Sequence, residues 1–209
     1  MIEIGLTGSI GMGKSTAAAI LQELGVPVFD SDACVHKVLR EDEKAIAEVI
    51  KHFPDAWDLK KRRIDRMLLG TIVFNDVGER KRLESLLHPY VWKHQARFRD
   101  NMRRAGMKMI AYDIPLLFET GAQERLDVTI CVSAPPFIQY QRVMARPGMT
   151  EERFFSILEG QMPDQEKRAL ADYVVPTGIG RAETFKCLRS IVDELSPGAG
   201  GKKACPRMT

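Results

Sequence analysis

An α/β protein, a parallel sheet covered by helices, is expected on three grounds. Short apolar runs of strand length alternate with helical patterns along much of the chain. A glycine-rich loop joins the first of these runs to the first helix. Between Phe29 and Met107 no clear strand signal occurs. That gap is far longer than an ordinary crossover, so residues 33–95 are expected to form a helical insertion beside the sheet.

The elements follow in order. Met1-Ile2-Glu3-Ile4-Gly5-Leu6-Thr7 suits a buried strand, and Ala17, Ile20, Leu21 and Leu24 then mark one face of a helix that Gly25 can stop. Val26–Phe29 reads as a second strand ending in Asp30-Ser31-Asp32. Two helical segments follow, the second carrying Ile46, Val49, Ile50 and Phe53 and ending at Pro54. Residues 55–66 are polar and basic, with Lys60-Lys61-Arg62-Arg63 in a row, either an anion-binding run or a solvated loop. A leucine-rich helix reaches His88-Pro89, and a long amphipathic segment continues to about Arg104, with Gly106 as its stop. Strand signals return at 107–112, 128–132 and 173–175, and Phe185, Leu188, Val192 and Leu195 line the last helix. The tail 196–209, rich in Gly, Pro and Lys, is expected to be disordered.

Composition narrows the function classes. The 209 residues carry 44% hydrophobic and 28% charged side chains, the profile of an ordinary globular chain. Lys and Arg number 31 against 28 acidic residues, too even a balance to argue for nucleic acid or membrane as the main partner. Cys34, Cys131, Cys187 and Cys205 show no metal-ligand spacing, and the first three fall where buried thiols are expected. No run has the length of a membrane span and no signal peptide is visible, so a cytoplasmic setting is expected.

Gly8-Ser9-Ile10-Gly11-Met12-Gly13-Lys14-Ser15 satisfies every fixed position of the phosphate-binding P-loop, and the fold class becomes that of a P-loop NTPase. Its glycines let successive amides turn toward a polyphosphate, and the following helix offers its positive end. Lys14 can reach the β- and γ-phosphates, and the Ser15 hydroxyl can ligate Mg²⁺. ATP and Mg²⁺ are therefore the expected cofactors, with residues 8–16, Thr16 included, around the nucleotide.

Outside the loop, alternatives stand side by side. Asp32, just past the second strand, either caps a helix or positions an attacking hydroxyl; for Asp30 the structural role is preferred. Asp113 either simply ends a strand or holds Mg²⁺, a reading that the P-loop favours. Gln139, Arg142 and Arg146 share helical spacing before Pro147-Gly148, and Thr150 can cap the next helix. On spacing alone these arginines form a solvated basic face. The alternative is a two-helix lid that brings guanidinium groups to the γ-phosphate.

Taken together, the motifs resemble the dephospho-coenzyme A kinase family. The resemblance rests on residues 5–16, on Val28-Phe29-Asp30-Ser31-Asp32, and on Ile64-Asp65-Arg66, Leu83-Glu84 and His88-Pro89. It continues through Pro115-Leu116-Leu117-Phe118-Glu119, the Gln139, Arg142, Arg146 series, Gln161-Met162-Pro163, Lys167 and Ala171-Asp172, covering about 1–195. It implies transfer of the ATP γ-phosphate to the ribose 3′-hydroxyl of dephospho-coenzyme A, with those two small molecules as partners. It implies that Lys14 binds phosphate, Asp32 engages the hydroxyl and Arg142 approaches the transferring phosphoryl group. Arg146 is expected at the nucleotide, and Arg66 and His88 at the acceptor. It implies a core of 1–32, 96–136 and 169–195, a coenzyme A-binding domain at 33–95 and a lid at 137–168. Pro176-Thr177-Gly178 departs from the Asn-x-Gly that many members have near the adenine. Two other readings remain: a P-loop kinase for another acceptor such as a nucleoside monophosphate, and a nucleotide-gated switch. The guanine-reading Asn-Lys-x-Asp motif of GTP switches is missing from the sequence.

Overall fold

The computed structural model describes residues 1–196; most of the tail expected to be disordered, and Cys205 with it, lies outside the described residues. The chain opens with β1 (Ile2–Thr7), α1 (Lys14–Glu23) and β2 (Val28–Asp30), followed by α2 (Ser31–Glu41), α3 (Glu43–His52), β3 (Trp57–Asp58), β4 (Arg63–Ile64), α4 (Arg66–Asn75) and α5 (Val77–Arg104). It continues with β5 (Met109–Asp113), β6 (Val128–Ser133), α6 (Pro136–Met144), α7 (Glu151–Glu159), α8 (Asp164–Leu170), β7 (Tyr173–Pro176) and α9 (Arg181–Leu195). Among the described residues two compact units result: one from residues 1–29 and 102–196, the other spanning Asp30–Asn101.

In the first unit the sheet order is β2-β5-β1-β6-β7. The ladders β1–β5, β1–β6 and β6–β7 are parallel, with Leu6 opposite Asp113 and Thr7 opposite Cys131. β1 is thus central, with neighbours reached by crossovers on either side. Ligands of such sheets collect outside the carboxyl ends of the strands at that switch point. Ile4, Leu6, Met109, Ala111, Ile130, Val132 and Val175 join Ala17, Ile20 and Leu21 of α1 and Leu188 and Ile191 of α9 in one core. Strand runs buried on both faces are near-continuously apolar, which is why they were readable. Gly25, at φ 81°, ends α1 as expected, and its amide bonds Gln22 O.

Cys131 is fully buried in β6, and burial pushes its thiol pKa up to about 12. The unfolded chain loses this proton near pH 9.0, so between the two values the unfolded state holds fewer protons and stability falls as pH rises. Denaturation curves at about pH 8 and about pH 10 are expected to show a shallower fall for Cys131→Ala than for the unaltered protein. Identical pH slopes would mean the thiol ionises as freely in the folded chain as in the unfolded one.

The second unit is mostly helical, with two departures from the sequence reading. Lys60-Lys61-Arg62 forms the turn of a small antiparallel hairpin, β3–β4, with Asp58 Oδ1 accepting from the amides of Lys60 and Lys61. Strands of two residues are too short for periodicity to reveal. The second departure is α5: the leucine-rich helix and the amphipathic segment after His88-Pro89, read as successive segments, form one helix of 28 residues that runs through Pro89. Proline in a helix interior removes a backbone bond. Here it lies on the exposed face while Leu87 and Val91, on either side, are buried, so packing holds the helix across it.

Candidate active site

The loop after β1 is shaped by its glycines and by what leans on it. Gly11 has φ +77°, and a Cβ there would stand 2.5 Å from Val143 Cγ2 and 3.0 Å from Gln139 O, both on α6. Gly13 has φ +87°, and a Cβ would stand 3.0 Å from Thr177. Any side chain at either position meets both backbone strain and a neighbour. Met12 N–H closes the loop internally by donating to Ser9 O at 3.1 Å. Gly13 is the N-cap of α1 and provides no side-chain cap. The first-turn amides of Lys14, Ser15 and Thr16 therefore have no intrahelical acceptor, and they present an anion site at the positive end of α1.

Lys14, the first residue of α1, forms an ion pair with the Asp113 carboxylate. Asp113 is 7% exposed at the carboxyl end of β5, and the register with β1 explains why the two meet. Ser15 is exposed one residue further along α1. Ser15 hydroxyl and Asp113 carboxylate are hard oxygen donors suited to Mg²⁺. No group of three or more His, Cys, Asp or Glu so placed that it could hold a metal ion by itself occurs among the described residues. Mg²⁺ does not need one, because substrate phosphates and waters ordinarily complete its shell.

The helix α6 approaches the loop from one side. Gln139, 6% exposed, donates from Nε2 to Ile10 O at 2.8 Å. Arg142 donates to Thr177 O at 2.6 Å, to Thr177 Oγ1 at 3.1 Å and to Gly11 O at 3.4 Å. Arg142 is therefore no solvated arginine: it ties α6 to the phosphate loop and to the segment after β7. Arg146 requires a correction, since the sequence reading set it on the same helical face. α6 ends at Met144 with Ala145 as C-cap, and the Arg146 amide bonds Val143 O in a tightened turn. Arg146 is exposed in that turn. The Thr150 cap stands, its hydroxyl accepting from Arg153 N at 3.2 Å.

In the second unit, Asp30 is the N-cap of α2, accepting from Ala33 N at 2.8 Å. Asp32 is an exposed first-turn residue of α2, its carboxylate accepting no hydrogen bond among the described residues. The capping role weighed for Asp32 thus belongs to Asp30. Arg66 opens α4 behind its N-cap Asp65, and its guanidinium donates to His36 Nε2 at 2.5 Å. His88 is exposed on α5, stacked on Trp92 with ring centroids 5.6 Å apart.

Three groups were missed as structural partners. Thr177 donates to Met12 O at 2.6 Å, locking the loop to the end of β7. Gln161 Oε1 accepts from Ile10 N at 3.0 Å. Lys167 is fully buried in α8, with its ammonium 2.8 Å from Glu119 Oε1 and 3.0 Å from Pro115 O. Gln161, Lys167 and Glu119 lay within motifs of the resemblance, the one available signal. Nothing in local spacing separates them from surface residues.

A parallel sheet whose central strand feeds a phosphate loop into an uncapped helix N-terminus defines a P-loop nucleotide-binding protein. The family model described as Dephospho-CoA kinase matches residues 2–180. The dephospho-CoA kinase of Mesorhizobium japonicum is 45% identical over 195 residues, 93% of this chain and 97% of that one. That of Paramagnetospirillum magneticum is 50% identical over 165 residues, 79% and 77% of the two chains. Among solved structures, a Thermus thermophilus protein superposes with a TM-score of 0.80 at 37% identity, over 93% of this chain and 98% of that one. The dephospho-CoA kinase from Campylobacter jejuni gives 0.61 at 26% identity, over 94% and 98%. The chain belongs to the dephospho-CoA kinase family, and as a kinase it uses ATP as co-substrate.

Proposed function

We propose that this chain transfers the γ-phosphoryl group of ATP to the ribose 3′-hydroxyl of dephospho-coenzyme A, the last step of coenzyme A synthesis. The observation that carries the proposal is the family match across residues 2–180, laid over an intact phosphate loop. In this reading the loop residues Gly8–Thr16 surround the triphosphate, and Lys14 leaves Asp113 for the β- and γ-phosphates. Ser15 and Asp113 hold Mg²⁺, which when bound supplies positive charge against the phosphate oxygens. Asp32 accepts the proton of the 3′-hydroxyl as its oxygen bonds to the γ-phosphorus and the bond to the β–γ bridging oxygen breaks, releasing ADP. Arg142 exchanges its bonds to Thr177 for bonds to the transferring group, and Arg146 joins it at the nucleotide. Residues 137–168 act as the lid, and 33–95, with Arg66 and His88, as the acceptor domain. A cytoplasmic location suits the three cysteines among the described residues, which are free and buried.

ATP turnover measured with and without dephospho-coenzyme A tests the reading. Turnover that requires this acceptor, with the product phosphorylated at the 3′ position, is the expected result. Comparable turnover on a nucleoside monophosphate, or nucleotide binding without transfer to any acceptor, would overturn it. None of the relatives named above is a nucleoside monophosphate kinase.

A further inference from the structure

Both polar groups of one peptide residue at the tip of the phosphate loop are held by side-chain amides. Ile10 N–H donates to Gln161 Oε1 at 3.0 Å, and Ile10 C=O accepts from Gln139 Nε2 at 2.8 Å. Gln139 is buried on α6, and Gln161 follows the end of α7. Each amide is used in one orientation: Gln161 must present oxygen and Gln139 must present nitrogen. A loop residue without its own regular secondary structure has thereby been fixed by two groups from outside it.

Two physical consequences follow. The Ile10 amide is turned toward Gln161, and the Met12 amide toward Ser9 O, so neither faces an anion inside the loop. Phosphate binding then rests on the remaining amides of the loop and on those at the start of α1, whose approach depends on the loop keeping this path. The second consequence is mechanical. Gln139 and Gln161 bracket residues 140–160, so both ends of the α6–turn–α7 segment are fastened to the same loop residue. Movement of that segment cannot leave the loop unaffected unless these bonds break.

We propose that Gln139 and Gln161 are positioning residues for ATP, acting through the Ile10 peptide to hold the phosphate loop in its anion-binding path. The proposal rests on the ATP-dependent reading above. The test uses Gln139→Met, Gln161→Met and the double variant, with ATP KM, dephospho-coenzyme A KM and kcat measured at fixed salt. Each single variant is expected to raise the ATP KM about 10-fold, the equivalent of one net hydrogen bond, while the acceptor KM stays within about twofold. Because both side chains hold one peptide, the double variant is expected to fall short of the product of the single effects. An unchanged ATP KM, or equal losses toward both substrates, would overturn the proposal.

Gln139→Glu supplies a readout that a merely packing role would not move, and it carries the test if the methionine variants do not fold. At neutral pH its carboxylate sets an oxygen against Ile10 O. Protonated, it regains a donor there. Its ATP KM, relative to unaltered protein at the same pH, is expected to improve between about pH 8 and about pH 6 as burial favours the neutral acid. A pH-independent ratio would overturn the proposal. If the unaltered protein showed no transfer to dephospho-coenzyme A, the functional reading would fail instead, and ATP binding alone would still report on the two glutamines.

Discussion

An Asp32→Asn enzyme is expected to turn over about 10²-fold or more slowly than the unaltered protein while binding ATP almost as well, the usual scale for a positioned base. Stability should scarcely interfere. Asp30, not Asp32, makes the α2 cap, and the exposed Asp32 carboxylate has no hydrogen bond among the described residues. Its remaining structural contribution is an acidic group in a helix first turn, worth about 0.3–1 kcal/mol against the helix dipole. A loss of two decades in rate amounts to about 2.7 kcal/mol of barrier, well beyond that. Steady-state kinetics beside calorimetric ATP titration would check it. Near-normal kcat would reduce Asp32 to a favourable charge at the start of α2.

Lys167→Met is expected to produce the largest loss of stability. The change keeps the volume but leaves the Glu119 carboxylate and Pro115 O facing a thioether, in a place where the lysine is fully buried. Breaking a buried pair by removing one partner costs about 3–5 kcal/mol, since the surviving charge stays desolvated. For a chain of this size that corresponds to a drop in Tm of about 6–20 °C. Adding Glu119→Gln should recover part of the loss, because no unpaired charge then remains, and Met162 N, which donates to Glu119 Oε1 at 2.8 Å, keeps an amide oxygen. Denaturant titration of the single and double variants reads both. A single variant within about 1 kcal/mol of the unaltered protein would show that Lys167 reaches water and was never desolvated.

The same pair shows where sequence reading stops. Lys167 stands in α8 among Asp164, Gln165, Glu166 and Arg168, which is the pattern of a wet helix face. Its burial follows from Glu119, 48 positions earlier, arriving across the fold, and no local period carries that information. Arg142 is similar. Its helix was readable, but whether it faced solvent depended on the loop and Thr177 lying within reach of its guanidinium. Proline disfavours a helix interior, yet packing on the two flanks of Pro89 carries α5 through it.

The strands of the five-stranded sheet, the P-loop and the Asp30 and Thr150 caps depend on residues adjacent in the chain. Apolar runs, glycine φ angles and side-chain-to-amide bonds over three residues are local physics, legible before any fold is known. The pairing of Lys14 with Asp113, the clamping of Ile10 by two glutamines and the burial of Lys167 join residues far apart in the chain. These contacts come from the packed fold alone, because a polar side chain takes its partner from whatever that fold brings within about 3 Å of it.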